Sequence, residues 1–309
     1  MTLSHPALRT RRRNSPYGHR GGKQTVSLLQ QLRERSRDAL ASGALQPIET
    51  DARVVEDGGI SFVVRVLGNL KRKAAAAQSA RDPFLPPYEP DLYVGEVAAT
   101  HVALLNKYNV LPHHLLLVTR DYEPQTQLLN RGDLAALLWA LSQVDGLGFY
   151  NGGAEAGASQ THKHLQLVPR PLADVGPPVP FEPWFERHAP QRLCAAVPGL
   201  AFRHAVTPVP GHWWQTPQRA ADAAYKTYRA LLSACALGSD GPVQSAPYNL
   251  LLTRRWMWLV ARSCEAYADI PVNALGFAGA LLVNSEARLA TLAGLGPMRV
   301  LAGVGMPPL

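Results

Sequence analysis

The run from Asn151 to Pro169 constrains this chain more than any other stretch. It joins a loop of small residues to His162, His164 and Gln166, spaced by two. On a strand, side chains alternate between faces, so these three share one face while Lys163, Leu165 and Leu167 share the other. Such a strand needs a cover for its apolar face and a cleft for its polar one. Just upstream, Gly157, Ala158 and Ser159 carry almost no side-chain bulk, which would let their backbone N–H groups approach phosphate oxygens closely. Loop and strand together suggest a phosphate cradle beside a nucleophile.

With 309 residues, 47% of them hydrophobic, the chain can build one large core or two closely joined modules. No apolar run approaches the roughly 18 residues of a membrane span, so no membrane partner is expected. Cys194, Cys235 and Cys264 form no Cys-x-x-Cys pair, which argues against a disulfide framework or a cysteine zinc site and favours a reducing cytoplasm. The formal charge of +8 is concentrated at the front, where Arg9, Arg11, Arg12, Arg13, Arg20 and Lys23 precede the first acidic residue, Glu34. Residues 1–24 read as a basic, disordered extension. A transit peptide or a nucleic-acid arm are the alternatives, and nucleic acid is not an expected partner.

Along the chain, the pattern predicts a helix over 26–42, with Leu28, Leu29, Leu32 and Leu40 on one stripe and Gly43 at its end. A strand follows over 60–67, then the basic turn 71–73 and an extended proline-rich loop from Asp82 to Pro90. Strands over 101–106 and 115–119, joined by a turn containing Pro112, should be antiparallel. Asn130 can cap a helix running through Asp133, Leu134, Leu137 and Leu141 and stopping near Gly146 and Gly148. Prolines at 171, 177, 178 and 180 mark a boundary between modules at 25–180 and 181–309. The second module has a helix over 219–237, a long strand or strand pair over 248–260, and a strand over 279–284. These elements predict the α+β class, an antiparallel sheet with helices packed on it.

Neutral imidazole attacks phosphorus well, and the resulting phosphoramidate is activated for a second displacement. His164, nearest the centre of the strand and flanked by His162 and Gln166, is the candidate nucleophile, and a hydrogen bond from its other ring nitrogen to a carbonyl would fix the tautomer. Gln166 can donate to a phosphate oxygen without acting as an acid, which suits a transferase better than a hydrolase. The competing readings are a half-buried strand that happens to carry histidines, or a His-x-His metal pair. A metal pair would need a further ligand, and spacing does not exclude His101, His113, His114, His204 or His212.

Leu-Leu-Asn106-Lys107-Tyr with Pro112, then Asn151-Gly-Gly, Gly157-x-Ser159 and His162-Lys-His164-Leu-Gln166, then Asn273-Ala-Leu-Gly-Phe-Ala-Gly, resemble the ATP adenylyltransferases, or diadenosine tetraphosphate phosphorylases. These belong to the histidine-triad superfamily, with galactose-1-phosphate uridylyltransferase as a relative. The resemblance implies a histidine-triad-like fold and reversible phosphorolysis of a dinucleoside polyphosphate by inorganic phosphate to ATP and ADP, through an adenylylated histidine. It assigns His164 as nucleophile and Gln166 as a phosphate contact. It places Gly157, Ala158, Ser159 and Gln160 in a phosphate loop. Asn151, Asn106, Lys107, Asn273, Ala274 and Leu275 fall on substrate-binding positions, and Lys73 near the phosphates. Fungal members carry Met and Lys where this chain has Ala280 and Asn284, so the distal phosphate or acceptor site should be weakened. No tightly bound cofactor is expected, only a divalent cation, magnesium, entering with the nucleotide. A dinucleoside polyphosphate hydrolase, a nucleotidylyltransferase with another acceptor, and a nucleotide- or RNA-binding protein without turnover are the alternatives.

Overall fold

The computed structural model describes residues 27–68, 81–188, 190 and 192–309. The basic tail and Lys73 lie outside these residues. In chain order the elements are helix α1 (Leu28–Ser42), strands β1 (Thr50–Asp57), β2 (Ile60–Leu67), β3 (Tyr93–Val97), β4 (His101–Leu105) and β5 (Leu115–Thr119), helix α2 (Arg131–Gln143), strands β6 (Gly146–Gly152) and β7 (His164–Pro169), and helix α3 (Phe181–Arg187). They continue with β8 (His204–Pro208), α4 (Pro217–Ala234), β9 (Tyr248–Leu252), β10 (Trp256–Ala261), the short pair β11 (Ala266–Tyr267) and β12 (Ile270–Pro271), β13 (Ala280–Val283), α5 (Glu286–Leu295) and α6 (Pro297–Val304).

An eight-stranded sheet in the order β3-β4-β5-β7-β6-β9-β10-β8 forms the frame, and every pair in it is antiparallel. It runs through both predicted modules, because β6 pairs with β9 from Gly148↔Leu252 to Gly152↔Tyr248. Helices α1, α2 and α4 cover one face, with Leu32, Leu137, Leu141, Leu231 and Leu232 packed against Leu117, Leu165, Leu167 and Leu250. A second layer covers part of the other face. It is a small sheet, β1-β2-β13, in which β2 pairs antiparallel with β1 and parallel with β13. Phe62 and Val64 of β2 and Leu281 of β13 share a core there with Phe149, Val168, Leu251 and Trp258 of the large sheet. The cleft lies on this second face, beside the small sheet.

The differences from the sequence reading have local causes. Gly146 and Gly148 do not stop a helix; they are strand residues of β6. A Cβ on Gly148 would lie 2.7 Å from Leu137 Cδ1, so glycine here lets α2 sit close to the strand. The helix ends at Gln143 and begins with a capping box in which Asn130 and Asp133 exchange side-chain-to-backbone hydrogen bonds. In α1 the buried stripe is Leu28, Leu32, Ser36 and Ala39, whereas Leu40 is 49% exposed. Leu40 is off the stripe because helical periodicity from Leu28 and Leu32 leads to Ser36 and Ala39. Strands β1 and β3, at sheet edges, were not foreseen.

Candidate active site

Strand β7 carries the site because its two faces do opposite work. Toward the helices, Leu165 and Leu167 join the core and Lys163 is fully buried. The Lys163 ammonium contacts Asp133 Oδ2 at 2.6 Å and Glu123 Oε2 at 3.0 Å, and donates to the Leu128 carbonyl at 3.1 Å. His101 Nε2 meets the other oxygen of Asp133 at 3.0 Å. Burial alone would push the Asp133 carboxyl up, but the His101 hydrogen bond and the Lys163 charge together hold it below its ordinary value. This buried network ties the His164 strand to the N-terminus of α2. Lys163 was expected among apolar neighbours, and its partners lie up to forty positions earlier in the chain.

On the cleft side, His164 is buried to 3% exposure, and its Nδ1 lies 2.8 Å from the His162 carbonyl oxygen. A carbonyl only accepts, so Nδ1 carries the proton and Nε2 keeps its lone pair. Burial pushes the His164 imidazole down to about 4, outweighing the hydrogen bond to the His162 carbonyl that favours the charged form, so the ring is neutral at physiological pH. His162 itself is buried and is not part of the cleft wall. Its Nδ1 faces Asp82 Oδ2 at 2.8 Å, and its Nε2 faces the Thr119 carbonyl at 2.8 Å. The Thr119 hydroxyl also lies 3.0 Å from Nε2, so the ring is held on both sides.

Gln166 is oriented by a relay. Asn106 Nδ2 lies 3.2 Å from His114 Nδ1, and His114 Nε2 lies 2.9 Å from Gln166 Oε1. The Asn106 amide is a donor, so His114 accepts at Nδ1 and donates at Nε2, and the Gln166 carbonyl is thereby occupied. What Gln166 can offer a phosphate is its NH2. Burial lowers His114 to about 4, which keeps the relay in this one tautomer at neutral pH.

A second clamp holds the backbone of His164 itself. Pairing of β6 with β7 ends at Phe149↔Gln166, and the strands then splay. The buried Gln125 side chain fills the gap: Oε1 accepts from the His164 N–H at 2.8 Å, while Nε2 donates to the carbonyls of Asn151, at 2.8 Å, and His164, at 3.2 Å. It replaces the missing rung of the sheet.

The loop expected to cradle phosphate is braced from the C-terminal half. Asn151 Oδ1 accepts from Asn249 Nδ2 at 2.9 Å and from the Ala274 N–H at 3.0 Å, which leaves its Nδ2 as the spare donor at the cleft. Arg262, fully buried, donates to Asn249 Oδ1 at 2.6 Å and to the carbonyls of Ala156, at 3.2 Å, and Val272, at 2.8 Å. Burial lowers Arg262 to about 10, still well above neutrality, so it remains a cation held by neutral oxygens behind the loop. Gly157 has φ +90°, and a Cβ there would lie 2.6 Å from Asn273 Cβ, so only glycine fits.

The predicted cradle shifts along the loop. The N–H of Gly157 donates to the Ala154 carbonyl and that of Ala158 to the Gly153 carbonyl, so neither is available to a phosphate. The N–H groups of Ser159 and Gln160 have no partner among the described residues. The cleft, about 1700 Å³, brings together His164, Gln166, Asn151, Gly157, Ser159 and Gln160. Its wall also includes Asn106, Lys107, Asn273, Leu275 and Ala280. Lys107 is paired with Glu89 at 2.9 Å, and Asn106 is committed to His114. Three predicted binding positions are not in the wall. Ala158 is half-buried beside it, Ala274 contributes its N–H to Asn151, and Asn284 is exposed and bonded to Ser285. Asn284 follows the last residue of β13, where the chain turns outward into the cap of α5. Among the described residues no three His, Cys, Asp or Glu side chains converge as a metal site.

Residues 20–187 match the Ap4A phosphorylase N-terminal domain, where Ap4A is diadenosine tetraphosphate, and residues 198–307 match the ATP adenylyltransferase C-terminal domain. The chain is 28% identical over 282 residues to Protein APA1 of Saccharomyces cerevisiae, covering 82% of this chain and 86% of the relative. It is also 28% identical over 303 residues to diadenosine tetraphosphate phosphorylase 2 of the same yeast, covering 86% and 90%. In fold it is similar to the crystal structure of yeast Ap4A phosphorylase Apa2, with a TM-score of 0.76 at 24% identity, covering 91% of this chain and 95% of that one.

Proposed function

We propose that this chain, which belongs to the Ap4A phosphorylase family, cleaves Ap4A with inorganic phosphate to give ATP and ADP, reversibly, by way of an adenylylated His164. The observation that carries this reading is the state of His164: Nδ1–H tied to the His162 carbonyl, the ring kept neutral by burial, and the residue in the wall of a cleft large enough for a dinucleotide.

In the first displacement, the Nε2 lone pair attacks the α-phosphorus of one adenosine. An N–P bond forms, the bond to the bridging oxygen breaks, and ATP leaves. In the second, a phosphate oxygen attacks the same phosphorus, the N–P electron pair returns to Nε2, and ADP leaves. The Gln166 NH2, the Asn151 NH2 and the free N–H groups of Ser159 and Gln160 are donors for the phosphate oxygens as charge builds on them. Arg262 adds a buried positive charge behind the loop. A divalent cation, magnesium, accompanies the polyphosphate as part of the substrate. The three free cysteines support a reducing, cytoplasmic location. No helix among the described residues is long and apolar enough to cross a membrane.

The test is product analysis of purified protein with Ap4A, with and without phosphate. ATP and ADP formed only with phosphate are expected. Two ADP, or ATP and AMP, formed equally well without phosphate would make it a hydrolase. Binding without turnover would move it to the non-catalytic alternative.

A further inference from the structure

The proline-rich segment before β3 is not a passive connector. Asp82 uses both carboxylate oxygens: Oδ1 accepts from the Phe84 N–H at 2.8 Å, closing a tight turn, and Oδ2 meets His162 Nδ1 at 2.8 Å. One side chain therefore pins the turn to the strand of the nucleophile. The turn carries the Phe84 ring onto both histidines, with centroids 5.0 Å from His164 and 5.9 Å from His162. Phe84 is only 7% exposed, and it is seated on Val102, Leu104, Leu116 and Val118 of the large sheet in a small cluster separate from the two main cores. It also lines the cleft beside His164.

From this geometry we infer that Phe84, held by the Asp82–His162 contact, is the residue that keeps water from the adenylylated His164 and so directs the intermediate to phosphate. The inference rests on the adenylyl-histidine reading above. Two acceptors compete for that intermediate. If water attacks the phosphorus, the N–P bond breaks with its electron pair returning to Nε2, a proton is released, and AMP forms. If phosphate attacks, the same bond breaks and ADP forms. An aromatic wall beside the phosphorus offers a lone water no polar anchor, and an unanchored water gains nothing by entering. Phosphate brings its own charge and several acceptor oxygens, which the donors of the same cleft, Gln166 and the Ser159–Gln160 backbone, can hold. Phe84 acts by exclusion and those donors by attraction.

The experiment measures the AMP-to-ADP ratio from Ap4A at a fixed, subsaturating phosphate concentration for the full chain, for Phe84→Ala and for Asp82→Asn, with unfolding temperatures recorded beside them. Because the Phe84 cluster stands apart from the main cores, both variants should fold. The expected result is a rise of about tenfold or more in the ratio for Phe84→Ala, a smaller rise for Asp82→Asn, and ADP formation at saturating phosphate within a few-fold of the unmodified protein. Phe84→Leu, which keeps an apolar side chain in the cluster, serves as the deciding variant if Phe84→Ala is unstable, and it should raise the ratio several-fold. An unchanged ratio in folded Phe84→Ala, or in Phe84→Leu when that variant decides, overturns the shielding role. That failure is distinct from failure of the underlying reading, which would show as phosphate-independent or absent turnover in the unmodified protein.

Discussion

The sharpest consequence of the site concerns acid. Burial lowers the His164 imidazole to about 4, well below an ordinary histidine, a penalty on the order of 3 kcal/mol against protonation. At pH 5.5, a ring titrating at about 4 is about 97% neutral, whereas one titrating at about 6.5 is about 9% neutral. Adenylylation of His164 should therefore hold its rate from pH 8 down to 5.5, while an exposed histidine nucleophile would lose about tenfold over the same range. The measurement is the single-turnover ATP burst without phosphate at low Ap4A, its apparent second-order rate constant plotted against pH so that it reports the free protein. Leaving out phosphate matters because inorganic phosphate itself changes charge in this window, whereas Ap4A has no terminal phosphate to titrate. A burst that falls with a midpoint near 6.5 would refute the claim that burial sets the nucleophile's protonation state.

Three more outcomes can be checked. Replacing Gln125 by Leu removes three hydrogen bonds and strands the backbone groups of His164, which should cost about 3 kcal/mol in urea unfolding and lower kcat about a hundredfold with KM little changed; a KM effect alone would contradict a positioning role. Gly157→Ala forces a Cβ to 2.6 Å from Asn273 at positive φ and should cost about 2 kcal/mol or more, so an unchanged urea midpoint would show that the loop is not packed as described. His114 and His164 both titrate at about 4 when folded and near 6.5 when unfolded, so the unfolded chain binds more protons between those values and stability is lost as pH falls through that window. From pH 7 to 5 the two together should remove about 4 kcal/mol, read as the drop in urea midpoint.

What could be read from the sequence was what local spacing encodes. The His162-x-His164-x-Gln166 alternation has the period of a strand, and the structure puts Lys163, Leu165 and Leu167 on the opposite face from His164 and Gln166. Asn130 announced the start of α2 because a cap residue ahead of an apolar helical stripe is a local signal, and the structure adds that Asp133 returns its hydrogen bond. Strand β1 was missed because its edge position leaves no apolar alternation, only an exposed and half-buried pattern over Thr50–Asp57. Strand β6 was missed because Gly146 and Gly148 look like terminators when neither the β7 backbone that crowds Gly146 nor the helix that crowds Gly148 can be seen. The residues that tune the site, Gln125, His114, Asn249 and Arg262, carry no motif. Each reaches its partner across sheet contacts between distant segments, as when Arg262 meets Ala156, and such placement becomes visible only once the strands are in register. Asn106 and Lys107, which the resemblance places at substrate-binding positions, both line the cleft, and their side chains also meet His114 and Glu89.

The most direct test of the account is to trap its intermediate. The full chain is incubated with Ap4A in the absence of phosphate, quenched under alkaline conditions that preserve the N–P bond, digested, and mapped by mass spectrometry. The account predicts an AMP adduct on His164 that disappears, with release of ADP, when phosphate is added before the quench. An adduct on another residue, or ATP release with no adduct on His164, would contradict it.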